Sequence, residues 1–128
     1  MTKYDSVYHQ PPAPVAWVAI ENPDTDERAT GIPVLIDSGA DSTLLPEKII
    51  GQLGLSLNPD KAIELADFEG TGNRIKHPAA AVVVLEGLRF KGDYLFAECE
   101  IGVLGRNILN HLIFELNGPS LTWSMRTK

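Results

Sequence analysis

An apolar run that ends abruptly in Asp-Ser-Gly constrains this chain more than any other stretch. Residues 32–36, Ile-Pro-Val-Leu-Ile, are short, apolar and rich in β-branched side chains, which predicts a strand buried on both faces. Asp37 follows directly, and an ionised carboxylate at the end of a buried strand is costly unless it is hydrogen-bonded or shared. Gly39 lets the backbone turn sharply and bring its N–H groups near that carboxylate. The pattern favours a catalytic acid or base on a rigid strand end.

The same triplet also has a simpler interpretation as a turn. Asp and Ser side chains cap their own backbone, and glycine adopts a positive φ without strain. From average residue usage, Asp-Ser-Gly or Asp-Thr-Gly is expected by chance in roughly one chain of this size in twenty. The triplet alone is therefore a weak indicator of catalysis. The apolar strand before it and Ala40 after it strengthen the catalytic interpretation.

Length and composition are those of one soluble globular domain. The chain has 128 residues, of which 44% are hydrophobic and 22% charged, and this is enough to bury a core without disulfide bonds. The net charge of −6 argues against a nucleic-acid partner, whose phosphates require clustered Lys and Arg. Eleven glycines and nine prolines favour a chain rich in strands and loops over a helical bundle.

Cys99 is the only cysteine, which excludes an internal disulfide framework and a thiolate zinc site. It ends the strand-like run 94–99, and we expect it to be a small buried residue. Residues 1–5 contain no apolar signal region, and no apolar run approaches membrane-spanning length. We therefore expect a cytoplasmic protein with no membrane partner. The alternative is that the chain is a segment cut from a larger precursor.

The first half of the chain predicts strands behind a polar arm. Residues 1–14 end in Gln-Pro-Pro-Ala-Pro, which predicts a stiff extended arm, and residues 15–128 form the domain. A strand over 15–20 and the polar loop 21–31 lead into the strand before Asp37, so the two strands should form a long hairpin. Pro46 in a first turn and Gly54 at the end predict a short helix.

The second half predicts further hairpins. Residues 63–68 and 74–76 flank a glycine-bearing segment, which predicts a hairpin with its tip at 69–73. The other predictions are a strand over 79–85, turns at 86–87 and 91–93, a strand over 94–99, an apolar segment over 101–109, a short helix to about His111, and a closing hairpin from 112–116 to 120–123. The predicted fold class is all-β, a barrel-like domain with one or two short helices.

Two segments of the chain resemble one known family. Val34-Leu35-Ile36-Asp37-Ser38-Gly39-Ala40-Asp41 resembles the active-site motif of the retroviral-type aspartic proteases, or retropepsins. Val103-Leu104-Gly105-Arg106-Asn107-Ile108-Leu109 resembles their second signature. The hairpin 67–74 lies between the two motifs, where that family carries its flap. The likeness covers about 15–123 and implies a retropepsin-like acid-protease barrel with one domain per subunit.

The resemblance implies a role for each residue that matches the motifs. Asp37 is the catalytic acid/base, Ser38 locks two active-site loops together across a dimer, and Gly39 allows close approach of the backbone. Arg106 faces Asp41 as an ion pair at the base of the cleft and supports the site together with Asn107. The residues implied in substrate binding are Ala40, Asp41, Glu69, Gly70, Thr71 and Gly72.

The chain departs from the retroviral pattern at three places. Ser38 stands where retroviral members usually have threonine. The loop 21–31 is longer than in the compact viral enzymes, and the flap tip 69–73 carries charge. None of these departures removes the catalytic carboxylate.

A single copy of the catalytic triplet implies an assembly of two chains. Pepsin-like enzymes carry the triplet twice in one chain, because one carboxylate acts as a base toward water while the other, protonated, donates to the scissile carbonyl. The resemblance therefore implies a C2 homodimer with Asp37 from each subunit in a shared cleft. Such a dimer is an endopeptidase that acts on an extended peptide or protein substrate. No metal or organic cofactor is called for.

Other classes of function fit the sequence less well. The same fold could serve as a dimerisation or peptide-binding module with weak or no hydrolysis, but such a module has no use for a buried charge at position 37. His9, His77 and His111 lack the spacing of metal ligands, which argues against a metal hydrolase. The acidic loop 21–31 lacks EF-hand spacing, and Gly70-Thr71-Gly72 lacks the spacing of a phosphate-binding loop.

Overall fold

The computed structural model describes residues 1–61, 63–66 and 73–127, and in residues 63–66 and 73–76 it describes the backbone alone. The described elements are, in chain order, β1 (Thr2–Lys3), β2 (Val15–Glu21), β3 (Arg28–Ile36), β4 (Leu44–Pro46), α1 (Lys48–Leu53), β5 (Ile63–Ala66), β6 (Asn73–Lys76), β7 (Ala79–Leu85), β8 (Leu88–Ala97), β9 (Gly102–Leu104), α2 (Arg106–Leu109), β10 (Ile113–Asn117) and β11 (Thr122–Arg126). This confirms the predicted all-β class with one or two short helices, of which the described residues contain two.

Six strands close into a barrel in the order β2-β3-β9-β4-β8-β7. The hairpins β2–β3 and β7–β8 are antiparallel, and β2 also pairs with β7. β3 runs parallel to β9, and β4 runs parallel to β8. Because a closed sheet has a single inside, the inward side chains meet in one core. The largest fully buried side chains include Ile20, Leu45, Ile49, Leu85, Leu104, Ile108 and Trp123.

The strand before Asp37 is buried on one face only. Ile32 and Val34 are buried, whereas Pro33, Leu35 and Ile36 are half-buried. The prediction of a strand buried on both faces is therefore wrong for the single chain, because a barrel strand alternates between the inside and the outside.

Residues 1–14 do not form a free arm. β1 pairs antiparallel with β11, and the resulting sheet has the order β1-β11-β10. The segment then folds back on itself, because Asp5 and Ala13 exchange backbone hydrogen bonds of 2.7 and 3.0 Å. Tyr4 packs against the core. The predicted extended arm misses this pairing, which depends on a partner strand at the far end of the chain.

Three local predictions are corrected by the structure. β8 continues through residues 91–93, which pair with residues 80–82 of β7, so no turn occurs there. Pro46 belongs to β4 and the helix begins at Lys48, although Gly54 ends it in the left-handed conformation (φ 62°), as expected of a helix-terminating glycine. Cys99, predicted to be a buried residue at the end of a strand, lies beyond β8 and is half-buried.

β5 and β6 form the predicted hairpin, with Ile63 opposite Lys76 and Ala66 opposite Asn73. Of the predicted tip, residues 69–72 lie outside the described part of the chain. Neither of the two helices that the structure describes is long and apolar enough to cross a membrane.

Tyr94 is a buried phenol in β8. Its side chain is 4% exposed, and its hydroxyl donates to the Phe90 carbonyl at 2.6 Å. Burial raises the pKa of Tyr94 from 10.0 to about 12, because the phenolate would lose its hydration.

The native state should therefore lose stability through Tyr94 at high pH. Because the pKa is higher in the native state than in the unfolded chain, this contribution is complete below about pH 10 and is lost as the pH rises through about 12. The Tyr94→Phe variant should have an unfolding free energy about 1 kcal/mol lower than the parent at neutral pH, since the Phe90 carbonyl loses its donor. As the pH rises through about 12, the stability of this variant should fall less steeply than that of the parent. Urea unfolding of the parent and the variant at a series of pH values measures both free energies. An equally steep loss of stability with pH in the two proteins would contradict the prediction.

Candidate active site

Asp37 lies where two parallel strands end side by side. The register of β3 and β9 places Ile36 opposite Leu104. The Asp37 N–H donates to the Leu104 carbonyl at 3.1 Å, and the Ile36 N–H donates to the Pro14 carbonyl at 2.9 Å. Backbone hydrogen bonds to two different segments thus fix the strand end that carries the carboxylate. Asp37 itself is half-buried.

The turn after Asp37 folds back onto its carboxylate. The Gly39 N–H donates to Asp37 Oδ1 at 2.9 Å, and the Ala40 N–H donates to the Asp37 carbonyl at 3.2 Å. A Cβ atom on residue 39 would lie 3.1 Å from Asp37 Oδ1, which is tighter than an ordinary contact. Glycine therefore leaves room for the backbone N–H to approach and orient the carboxylate.

A buried threonine links this loop to the segment after β9. Thr43 is 1% exposed, and its hydroxyl donates to Asn107 Oδ1 at 2.7 Å and accepts from the Gly105 N–H at 3.1 Å. Because buried polar groups cost free energy unless they are bonded, the hydroxyl ties the two segments together. Sequence reasoning named Asn107 but missed Thr43. The available signal was the position of Thr43, a hydroxyl residue directly before the apolar pair Leu44-Leu45.

Gly105 allows these two segments to touch. A Cβ atom there would lie 2.5 Å from the carbonyl carbon and oxygen of Ser42, a distance that no side chain can occupy. Its φ of −93° is open to any residue, so the glycine is required for space and not for its backbone conformation.

Arg106 supports the turn after Asp37 through backbone carbonyls. Its N–H donates to the Ala40 carbonyl at 2.8 Å, and its Nη1 donates to the Ser38 carbonyl at 2.7 Å. Asp41 and Arg106 are both exposed, and no ion pair among the described residues joins them. The buried Asp41–Arg106 pair expected from the resemblance is thus absent from the single chain, because the guanidinium contacts Ser38 instead.

The remaining predicted residues are placed in two groups. Ser38 is exposed and Ala40 is half-buried, and both lie in the turn beside Asp37. Glu69, Gly70, Thr71 and Gly72 lie outside the described residues, so their contact with a substrate stays a prediction.

Cys99 is not arranged as a nucleophile. It lines a cavity of about 730 Å³ between α1 and residues 98–100. Burial, and then the charge of Glu47, raises the pKa of the Cys99 thiol, which keeps the reactive thiolate scarce. Among the residues that the structure describes, no group of three or more His, Cys, Asp and Glu side chains is placed to hold a metal ion.

Protein-family models and curated proteins give no match to this chain. Among solved structures, it is similar to EIAV protease in complex with the inhibitor HBY-793, at 21% sequence identity and a TM-score of 0.56, over 83% of this chain and 90% of that one. A retropepsin-like aspartic protease from Rickettsia conorii is 18% identical, with a TM-score of 0.46 over 91% of each chain.

The likeness to EIAV protease shows the fold. This chain has the fold of the retropepsin-like aspartic proteases over most of its length, an all-β barrel with two short helices in its described part. The predicted fold class is thereby confirmed.

The Thr43 hydroxyl should contribute measurably to stability. Thr43→Val keeps nearly the same volume but leaves the buried Gly105 N–H without an acceptor, which should cost about 1–3 kcal/mol of unfolding free energy. Thr43→Ser is the matched control, because it keeps the hydroxyl and loses only a methyl group, at about 1 kcal/mol. Urea unfolding compares the two variants. A valine variant no less stable than the serine variant would show that the hydroxyl does not link the segments.

Proposed function

We propose that this protein is an aspartic endopeptidase whose catalytic pair is formed by Asp37 from each subunit of a homodimer. The observation that carries the proposal is the geometry around Asp37. The carboxylate sits on a fixed strand end, the Gly39 N–H orients it, and Thr43 anchors its loop to the segment after β9. Acid–base catalysis requires this kind of rigid placement. The retropepsin-like fold supports the proposal by analogy.

The chemistry requires a second carboxylate, which this chain must obtain from another copy. Asp-Ser-Gly occurs once in the sequence. In the proposed dimer the two Asp37 side chains lie against each other, and two carboxylates in contact share one proton because both cannot readily be charged. The pair then holds a base and an acid at the same time.

Hydrolysis in this proposal begins with the addition of water to the scissile carbonyl. The charged carboxylate removes a proton from water as the water oxygen bonds to the carbonyl carbon, and the protonated partner donates to the carbonyl oxygen. The first carboxyl group then gives its proton to the amide nitrogen, while a hydroxyl of the intermediate returns a proton to the second. The C–N bond breaks, a carboxylic acid and an amine leave, and the pair again holds one proton.

The other predicted residues have supporting roles. The exposed Ser38 hydroxyl bonds to the active-site loop of the other subunit, and Arg106 and Asn107 hold the turn in place. Ala40 and Asp41 line the path of an extended peptide. The β5–β6 hairpin closes over that peptide and pairs with its backbone.

Asp37→Asn should abolish cleavage of a diverse peptide mixture while the protein stays folded. The change is nearly isosteric, but an amide cannot accept or donate the required proton, so the rate should fall at least about a hundredfold. Asp24→Asn is the matched control, because it removes the same charge from an exposed loop and should keep the parent rate.

Two outcomes would decide against the proposal. Cleavage by Asp37→Asn at the parent rate would place the chemistry elsewhere. A folded parent dimer that binds peptides but cleaves none would identify a non-enzymatic peptide-binding module with the same fold.

A further inference from the structure

The indole of Trp123 connects the sheet β1-β11-β10 to the barrel strand that pairs with the Asp37 strand. Its N–H donates to the Val15 carbonyl at 3.3 Å, and both residues are only 2% exposed. Trp123 lies in β11, the middle strand of its sheet, whereas Val15 begins β2 of the barrel. Because this bond is removed from water, solvent does not replace it when the donor is lost.

The direction of the Val15 carbonyl follows from the pairing of β2 with β3. The residue before it is bonded to β3, since the Ile36 N–H donates to the Pro14 carbonyl at 2.9 Å. Hydrogen-bonding direction alternates along an antiparallel strand, so the N–H and C=O groups of Val15 point away from β3. On that side, the described pairing of β2 with β7 covers residues 19–21. The Trp123 indole therefore supplies a donor at a point that lies beyond this pairing.

The segment 14–15 in turn holds the strand end that precedes Asp37. Proline has no N–H, so Pro14 and Ile36 share one hydrogen bond where an antiparallel pair normally has two. The position of the Ile36 backbone therefore depends on where the Pro14 carbonyl lies. That carbonyl belongs to the planar peptide that joins Pro14 to Val15, so anchoring Val15 also restricts it.

Tryptophan suits this position because it combines a large apolar ring with a single donor. The ring packs against Phe114, with ring centroids 5.9 Å apart. The Trp123 backbone pairs with Thr2 on one side and with Leu116 on the other. Strands on both sides and a ring contact thus hold the indole, so its N–H is already directed before the Val15 carbonyl meets it.

We propose that Trp123 is a positioning residue for Asp37. Its indole N–H holds the segment 14–15, and that segment holds the backbone of Ile36 directly before the carboxylate. The inference rests on the proposed function, in which Trp123 acts only through these other residues. A displacement of about 1 Å at a reacting group can lower a rate about a hundredfold. The indole bond should therefore affect the chemical step more than the binding of a peptide.

The first test removes the indole N–H. Trp123→Phe keeps an aromatic ring but leaves the buried Val15 carbonyl without this donor. In cleavage of a peptide substrate, kcat should fall at least about tenfold while KM changes less than about twofold. The rate is measured at protein concentrations where activity per subunit is constant, so that subunit dissociation does not contribute.

Two variants serve as matched controls. Tyr94→Phe also removes a buried aromatic donor from a backbone carbonyl, that of Phe90, but it does so in β8. It should lose stability and keep the parent kcat. Trp17→Phe makes the same substitution at a tryptophan that is 58% exposed on β2, and it should change neither stability nor kcat. Urea unfolding measures the stability of all three variants.

The second test changes one atom of the ring. Trp17 and Trp123 are the two tryptophans of the chain, so in a Trp17→Phe background benzothienylalanine supplied in place of tryptophan enters position 123 alone. This analogue has sulfur where indole has N–H and is nearly the same size. Sulfur cannot donate, so kcat should fall as it does in Trp123→Phe. The analogue keeps the inference testable if Trp123→Phe does not fold.

The outcomes separate this inference from the proposed function. A folded protein with the analogue at position 123 that keeps the parent kcat overturns the inference and leaves the peptidase standing. A rise in KM at unchanged kcat would show an effect on peptide binding, which also overturns it. An equal loss of kcat in Tyr94→Phe would show a general effect of stability and overturns it as well. A folded parent protein that cleaves no peptide overturns the proposed function, and this inference with it.

Discussion

One buried hydroxyl group holds the candidate site together. Thr43 Oγ1 lies between the Gly105 N–H and the Asn107 amide oxygen, and so joins the loop after Asp37 to the segment after β9. Because the hydroxyl and the Gly105 N–H are removed from water, losing the hydroxyl would leave that N–H donor unpaired in a low-dielectric environment. Arg106 adds two bonds to the carbonyls of Ser38 and Ala40. The placement of the turn after Asp37 depends on this short set of contacts.

The barrel topology makes those contacts possible. β3 and β9 are far apart in sequence but run parallel as neighbours, so both end beside Asp37. Close packing at that point requires glycine, because a Cβ atom on Gly102 would lie 2.5 Å from the Leu44 carbonyl oxygen and one on Gly105 equally close to Ser42. Substituting either glycine would push the two segments apart. The need for space thus explains Gly105 in the second motif and Gly102 directly before it.

The sequence predicted the parts of this protein that depend on local pattern. Apolar runs and the turn residues between them predicted the β2–β3 hairpin, the closing hairpin and the all-β class. Pairing with a strand at the far end of the chain cannot be predicted from local pattern, so the sequence predicts an arm where β1 pairs with β11. Lys91-Gly92-Asp93 has the composition of a turn, but these residues continue β8 because they pair with residues 80–82 of the neighbouring strand β7. At the site, the Asp-Ser-Gly pattern identified Asp37 as the candidate catalytic residue. The contact of Arg106 with Ser38, and not with Asp41, depends on side-chain geometry that spacing does not specify.

The central claim is that one active site needs Asp37 from two chains. A mixing experiment tests it directly, with the parent held at constant concentration, increasing Asp37→Asn protein added, and time allowed for subunits to exchange. A mixed dimer holds one carboxylate, so the cleavage rate should fall below that of the parent alone. Asp24→Asn added in the same amounts should not lower it. A rate unaffected by excess Asp37→Asn protein would contradict the account, because each chain would then contain a complete site.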